Sequence, residues 1–192
     1  PQVVSAKTGK TVDMAALAGS EASLKTGAAQ LIAGTDEETI ALTRSLISML
    51  PGNNLEDVPF NFDAEDDVNR ELADLNAIDA VADMRDVIAR IADNGSYIEL
   101  SGEYAPEIVT VLARVGASTV GFVATQPEKD EGRLTVNGCK KAARFISFCD
   151  SFSIPVVSLV DTMGASVAEA NQGELMRSVA GLMYAAAETT SA

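Results

Sequence analysis

The chain has 192 residues, 47% of them hydrophobic, enough to bury about 70% of the surface its unfolded form exposes, so one large domain or two partial ones fits. Against 14 Lys and Arg stand 28 Asp and Glu; a formal charge of -14 repels phosphate backbones, and nucleic acid is not expected as a partner. With no His and no Cys-x-x-Cys spacing the common zinc patterns are absent, and no metal site is expected.

Pro1 to Lys10 holds no apolar run of signal-peptide type and no initiator Met, so the expectation is a processed or excised segment with a cytoplasmic address. Thr35 with Glu38 makes a capping box, and Ile40, Leu46, Ile47 and Leu50 follow at helical spacing until Pro51-Gly52-Asn53-Asn54 ends the helix. Glu56 to Asp74 is acidic and weakly patterned, the composition of a solvated connector. A second helix starts after Asp83 as N-cap, presents Met84, Val87, Ile88 and Ile91 at i, i+3, i+4 and i+7, and stops at Asn94-Gly95.

Tyr97 to Leu100, Ile108 to Val115 and Thr119 to Thr125 are rich in β-branched and large apolar residues, and Gly116-Ala117-Ser118 splits the last two into a hairpin. The window Glu107 to Thr125 approaches membrane-spanning length, but Arg114 and two glycines within it favour two strands over insertion. A helix from about Gly138 to Phe152, a buried strand Pro155 to Val160 and a helix Gly173 to Glu188 complete the chain. Cys139 and Cys149 share one helix about 15 Å apart and cannot bridge, which suits a reducing compartment. The near-continuous apolar run Val156 to Val160 predicts an α/β fold with this strand covered on both faces.

Asp161-Thr162-Met163-Gly164-Ala165-Ser166 leaves the carboxyl end of that strand, where open α/β sheets place their ligands. Asp161 as a turn cap and Gly164 as a permissive backbone position account for the same residues. A second loop, Gln126 to Gly132, is too polar to be buried; a binding loop and a solvated one look alike here. Lys129, Arg133, Lys140 and Lys141 gather where the chain is least acidic and could meet a phosphate or a carboxylate, although exposed helix charge is the commoner role. Without His there is no Ser-His-Asp or Cys-His arrangement, and no Gly-rich phosphate loop occurs.

Several stretches match a known pattern in order. Asp83 to Ile91, then Tyr104-Ala105-Pro106-Glu107-Ile108-Val109, resembles the opening of the C-terminal subdomain of the carboxyltransferase β chains of biotin-dependent acyl-CoA carboxylases and related decarboxylases. Gly121 to Pro127 is similar to that family's G-I-V-A-N-Q-P, and Lys141 to Phe145 with Phe148-Cys149-Asp150 to its K-A-A-R-F-V-R-F-C-D. Phe152 to Pro155 resembles F-N-I-P, while Gly19 to Gly27 and Leu50 to Asn54 resemble the end of the N-terminal subdomain.

The resemblance implies an incomplete crotonase-like spiral of ββα units: residues 1–55 ending the N-terminal subdomain, 56–78 as connector, and 79–192 opening the C-terminal subdomain. It implies transfer of a carboxyl group between biotin, carried on a partner, and the α-carbon of an acyl-CoA. Biotin carboxyl carrier and biotin carboxylase components would be partners, in a homo-oligomer built as a dimer or a trimer of dimers. Gln126, Pro127, Asp161 and Gly164 would line the biotin side of the pocket. The oxyanion-stabilising Gly-Gly and Gly-Gly-Ala turns of the family are not in this sequence, so the segment alone is expected to be inactive.

The sequence departs from the family after Asp161, where P-G-F-L-P-G gives way to Thr162-Met163-Gly164-Ala165-Ser166-Val167 and the loop is freer when unbound; a position near Ser23 where relatives often carry His is altered too. Alternatives of other classes are a non-catalytic core or assembly segment, and an acyl-CoA decarboxylase α chain or another crotonase-like acyl-CoA enzyme. A hydratase or isomerase would need acid/base carboxylates on a Gly-rich loop, and none is seen. Open strand edges would also make the segment self-associate.

Overall fold

In a computed structural model, residues 2–61, 66–67, 69–71, 83–168 and 170–190 are described; positions 62–65, 68 and 72–78 of the expected connector lie outside them. The elements are α1 (Gln2–Thr8), α2 (Met14–Ala18), α3 (Ser20–Lys25), α4 (Asp36–Ser48), α5 (Met84–Ile91), β1 (Tyr97–Glu99), β2 (Ile108–Val115), β3 (Ser118–Thr125), α6 (Val136–Ser151), β4 (Val156–Leu159) and α7 (Gln172–Glu188). The sequence pattern does not reveal α1 to α3, because helices of five to seven residues are too short to show an apolar period.

Local chemistry sets the helix starts. The Thr35 hydroxyl accepts from the Glu38 amide at 3.1 Å, but the Glu38 carboxylate accepts from Gly34 N at 2.8 Å, so the box closes one residue further back than the simple motif implies. Asp83 caps α5 as expected, accepting from Arg85 N at 2.8 Å. Helix α6 begins two residues before Gly138, because Thr135 is its cap and accepts from Gly138 N at 2.9 Å.

The sheet order is β1-β2-β3-β4, antiparallel across the first three strands and parallel between β3 and β4, with α6 as the crossover. Alternation along β2 divides the core. Leu112 faces α6 with Phe145, Cys149, Ile154 and, from the C-cap of α4, Met49; Val109, Val111 and Ala113 face α5 with Ile88 and Phe122. Arg114, only 3% exposed, donates to Ser48 O at 2.6 Å and ties the end of α4 to β2. At Gly121 the helix comes so close to β3 that a Cβ would stand 2.7 Å from Cys149 Sγ.

One expectation is overturned. Strand β4 is not buried on both faces: it is an edge strand, paired only with β3 among the described residues, with Val157 40% exposed and Val160, just beyond its end, 72% exposed. Helix α6 lies over β2 and β3 while α7 packs on α6, so neither covers β4 as a sheet neighbour would.

Candidate functional site

The parallel pair β3 and β4 delivers both candidate loops to the same end of the sheet, and the backbone laces them together. The Thr125 hydroxyl, at the end of β3, donates to Asp161 O and accepts from Asp161 N, each at 2.7 Å. Leu134 N donates to Gly164 O at 2.8 Å, Ser166 N to Leu134 O at 2.9 Å, and Met163 N to Glu131 O at 3.1 Å. The first loop turns through three successive left-handed residues, Asp130, Glu131 and Gly132. A side chain at Gly132 would run into Asp161 O at 2.4 Å, so glycine there lets the loops meet.

The four predicted residues take different parts. Gln126 is fully buried: Nε2 donates to Asp83 Oδ1 at 2.6 Å and Oε1 accepts from Met84 N at 3.3 Å, which braces the start of α5 against the loop. Pro127 is half-buried in a turn closed by Lys129 N donating to Gln126 O at 2.9 Å. Asp161 is exposed, and its carboxylate makes no hydrogen bond among the described residues. Gly164 sits at φ 100° with open space where a Cβ would point; its amide donates to the Thr162 hydroxyl at 2.9 Å. Val160, Met163 and Val167, 72%, 67% and 84% exposed, form an apolar rim on this loop.

The basic group read from the sequence is dispersed. Arg133 pairs with Glu131 inside the first loop, and Lys140 reaches Glu174 Oε1 on α7 at 2.8 Å. Lys141 is buried and its Nζ donates to the carbonyls of Tyr104, Ala105 and Ile108; burial pulls its pKa down to about 8 against the opposing pull of Glu99 and Glu107. Burial likewise pushes the Cys149 thiol up to about 12, which leaves it unreactive at neutral pH. Sequence reasoning missed Thr125 and Leu134 as the residues that join the loops; both read as ordinary strand or loop positions until the parallel pairing is known.

The model of the carboxyl transferase domain matches residues 1–191. The chain is 40% identical to the methylmalonyl-CoA carboxyltransferase 12S subunit of Propionibacterium freudenreichii subsp. shermanii, over 99% of this chain and 37% of that protein. It is 39% identical to the methylmalonyl-CoA decarboxylase subunit alpha of Veillonella parvula, over 99% of this chain and 38% of that protein. The crystal structure of transcarboxylase 12S, a hexamer with methylmalonyl-coenzyme A and methylmalonic acid bound, superposes with a TM-score of 0.92 at 37% identity, covering 99% of this chain and 38% of that one. The chain thus spans little more than a third of these relatives, and its fold is the expected α/β, crotonase-like one in part. No helix among the described residues is long and apolar enough to cross a membrane. With residues 1–191 matched by one domain and 99% of the chain superposed on a solved member, the chain belongs to the carboxyl transferase domain family.

Proposed function

We propose that this chain supplies part of an acyl-CoA carboxyltransferase that moves a carboxyl group between biotin, held on a partner, and the α-carbon of an acyl-CoA. The observation that carries the reading is the end-to-end similarity to a methylmalonyl-CoA carboxyltransferase subunit. Near-equal similarity to a decarboxylase subunit keeps both directions of carboxyl flow within it and makes methylmalonyl-CoA the first substrate to try.

Biotin supplies a carboxylatable ureido nitrogen when bound, and the exposed rim of Val160 and Met163 beside the open space at Gly164 suits its apolar face. The amides of Asp161, Met163 and Gly164 are spent on Thr125, Glu131 and Thr162, so this loop contributes shape rather than oxyanion donors. In this reading Pro127, Asp161 and Gly164 border the biotin side, and buried Gln126 acts by positioning. Residues 1–55 end one subdomain and 79–192 open the next. Biotin carboxyl carrier and biotin carboxylase components, a homo-oligomeric assembly and a cytoplasmic address belong to the same proposal.

The test follows label from carboxyl-labelled methylmalonyl-CoA into a biotinylated carrier, using the whole protein that contains this segment. Transfer is the expected result; consumption of the thioester without biotin-dependent movement of label would overturn the reading.

A further inference from the structure

Between the stretch around Thr26 to Gln30 and α6 lies a cavity of about 350 Å³ that the carboxyl-transfer reading does not use. Its floor is apolar, made by Leu100, Phe145 and Phe148. Part of its polar lining is engaged, Thr26, Thr110, Lys140 and Lys141 each holding a partner, while the exposed Arg144 guanidinium, the Gln30 amide, and the hydroxyls of Ser101 and Tyr104 make no hydrogen bond among the described residues.

The charge around this space runs against that of the chain. Lys140, Lys141 and Arg144 line it and no carboxylate does, in a protein of formal charge -14. Lys141 commits its three protons to the carbonyls of Tyr104, Ala105 and Ile108 and lends positive potential without a free donor. Lys140 is drawn toward Glu174, one turn of helix from Arg144. The cation of this lining without a protein partner is therefore Arg144, exposed at the cavity's mouth and shared with a neighbouring groove that holds Asp150 and Glu188; its planar fork matches a carboxylate.

We infer that this cavity binds a small organic carboxylate, its charged end on Arg144 with Ser101 and Gln30, its short apolar body on Phe145 and Phe148. The volume lies at the small end of ligand pockets, about 300–1,000 Å³. Inorganic phosphate would meet the same donors and leave the apolar floor unused, which is why the organic acid is the better occupant. Nothing in this assignment rests on carboxyl transfer, because its readouts are binding alone.

Calorimetric titration of the full chain with butyrate, butyramide and inorganic phosphate tests it. Butyrate should bind saturably and butyramide should not, while Arg144→Gln should weaken butyrate by roughly tenfold or more and Arg144→Lys by less. In the unaltered protein, butyrate should shift the backbone amide resonances of Gln30, Ser101 and Phe148, a measurement that needs no variant. Equal affinity in Arg144→Gln, phosphate binding as tightly as butyrate, or resonance shifts confined to other surfaces would each overturn the inference.

Discussion

A methyl group added at residue 121 tests how α6 is seated on the sheet. In Gly121→Ala the new Cβ would lie 2.7 Å from Cys149 Sγ and 3.2 Å from the Phe145 ring, where relaxed contacts sit at about 3.5–4.0 Å. Cys149 is fully buried and Phe145 nearly so, so neither side chain can swing into solvent to make room. Overpacking of this kind costs about 1–3 kcal/mol, and alanine returns about 0.5–1 kcal/mol by restricting the unfolded chain. The net loss, about 1–2 kcal/mol, lowers the melting temperature by about 2–8 °C for a chain of this size. Thermal unfolding followed by circular dichroism measures it. Cys149→Ala removes the clashing sulfur, so the double variant should be more stable than the two single losses added together, by about 1 kcal/mol. Strict additivity, or a Gly121→Ala protein that melts like the parent, would refute the reasoning.

Other expectations follow from the same contacts. Gln126→Ala deletes both bonds that brace the Asp83 cap and should cost about 1–3 kcal/mol, with faster hydrogen exchange at the Met84 and Arg85 amides; Gln126→Glu should be worse, since it sets a carboxylate against Asp83. Lys141 has its pKa lowered by burial from 10.5 to about 8, so between those values the unfolded chain binds more protons than the folded one and stability should rise with pH. Urea midpoints across that window should climb for the parent and stay flat for Lys141→Met. The exposed β4 edge and its apolar rim predict concentration-dependent self-association in light scattering, relieved by Val157→Lys and Val160→Lys together.

What could be read in the sequence was whatever depends on neighbours along the chain. The Thr35 and Asp83 caps, the apolar face of α5, the hairpin broken at Gly116-Ala117-Ser118 and the helical placement of both cysteines all follow from spacing and side-chain chemistry over a few residues. Family membership was legible for the same reason, as a succession of short local motifs. The exposure of β4 was not: an apolar run records only that a strand has β-branched residues, and whether each face is covered depends on where α6 and α7 come to rest.

The candidate loops show the same division. Sequence alone identified two polar loops and the residues Gln126, Pro127, Asp161 and Gly164 within them, because a loop after an apolar strand is a local pattern. Only the tertiary structure decided that β3 and β4 run side by side, that Thr125 therefore clasps Asp161 across 36 residues of chain, and that Gln126 turns inward to Asp83 instead of outward. It also decided that Arg144, one more charge on a helix when read in sequence, faces a cavity shared with Gln30 and Ser101. Such pairings form when distant segments are brought together to bury apolar surface, and no local pattern encodes which polar groups that burial will leave face to face.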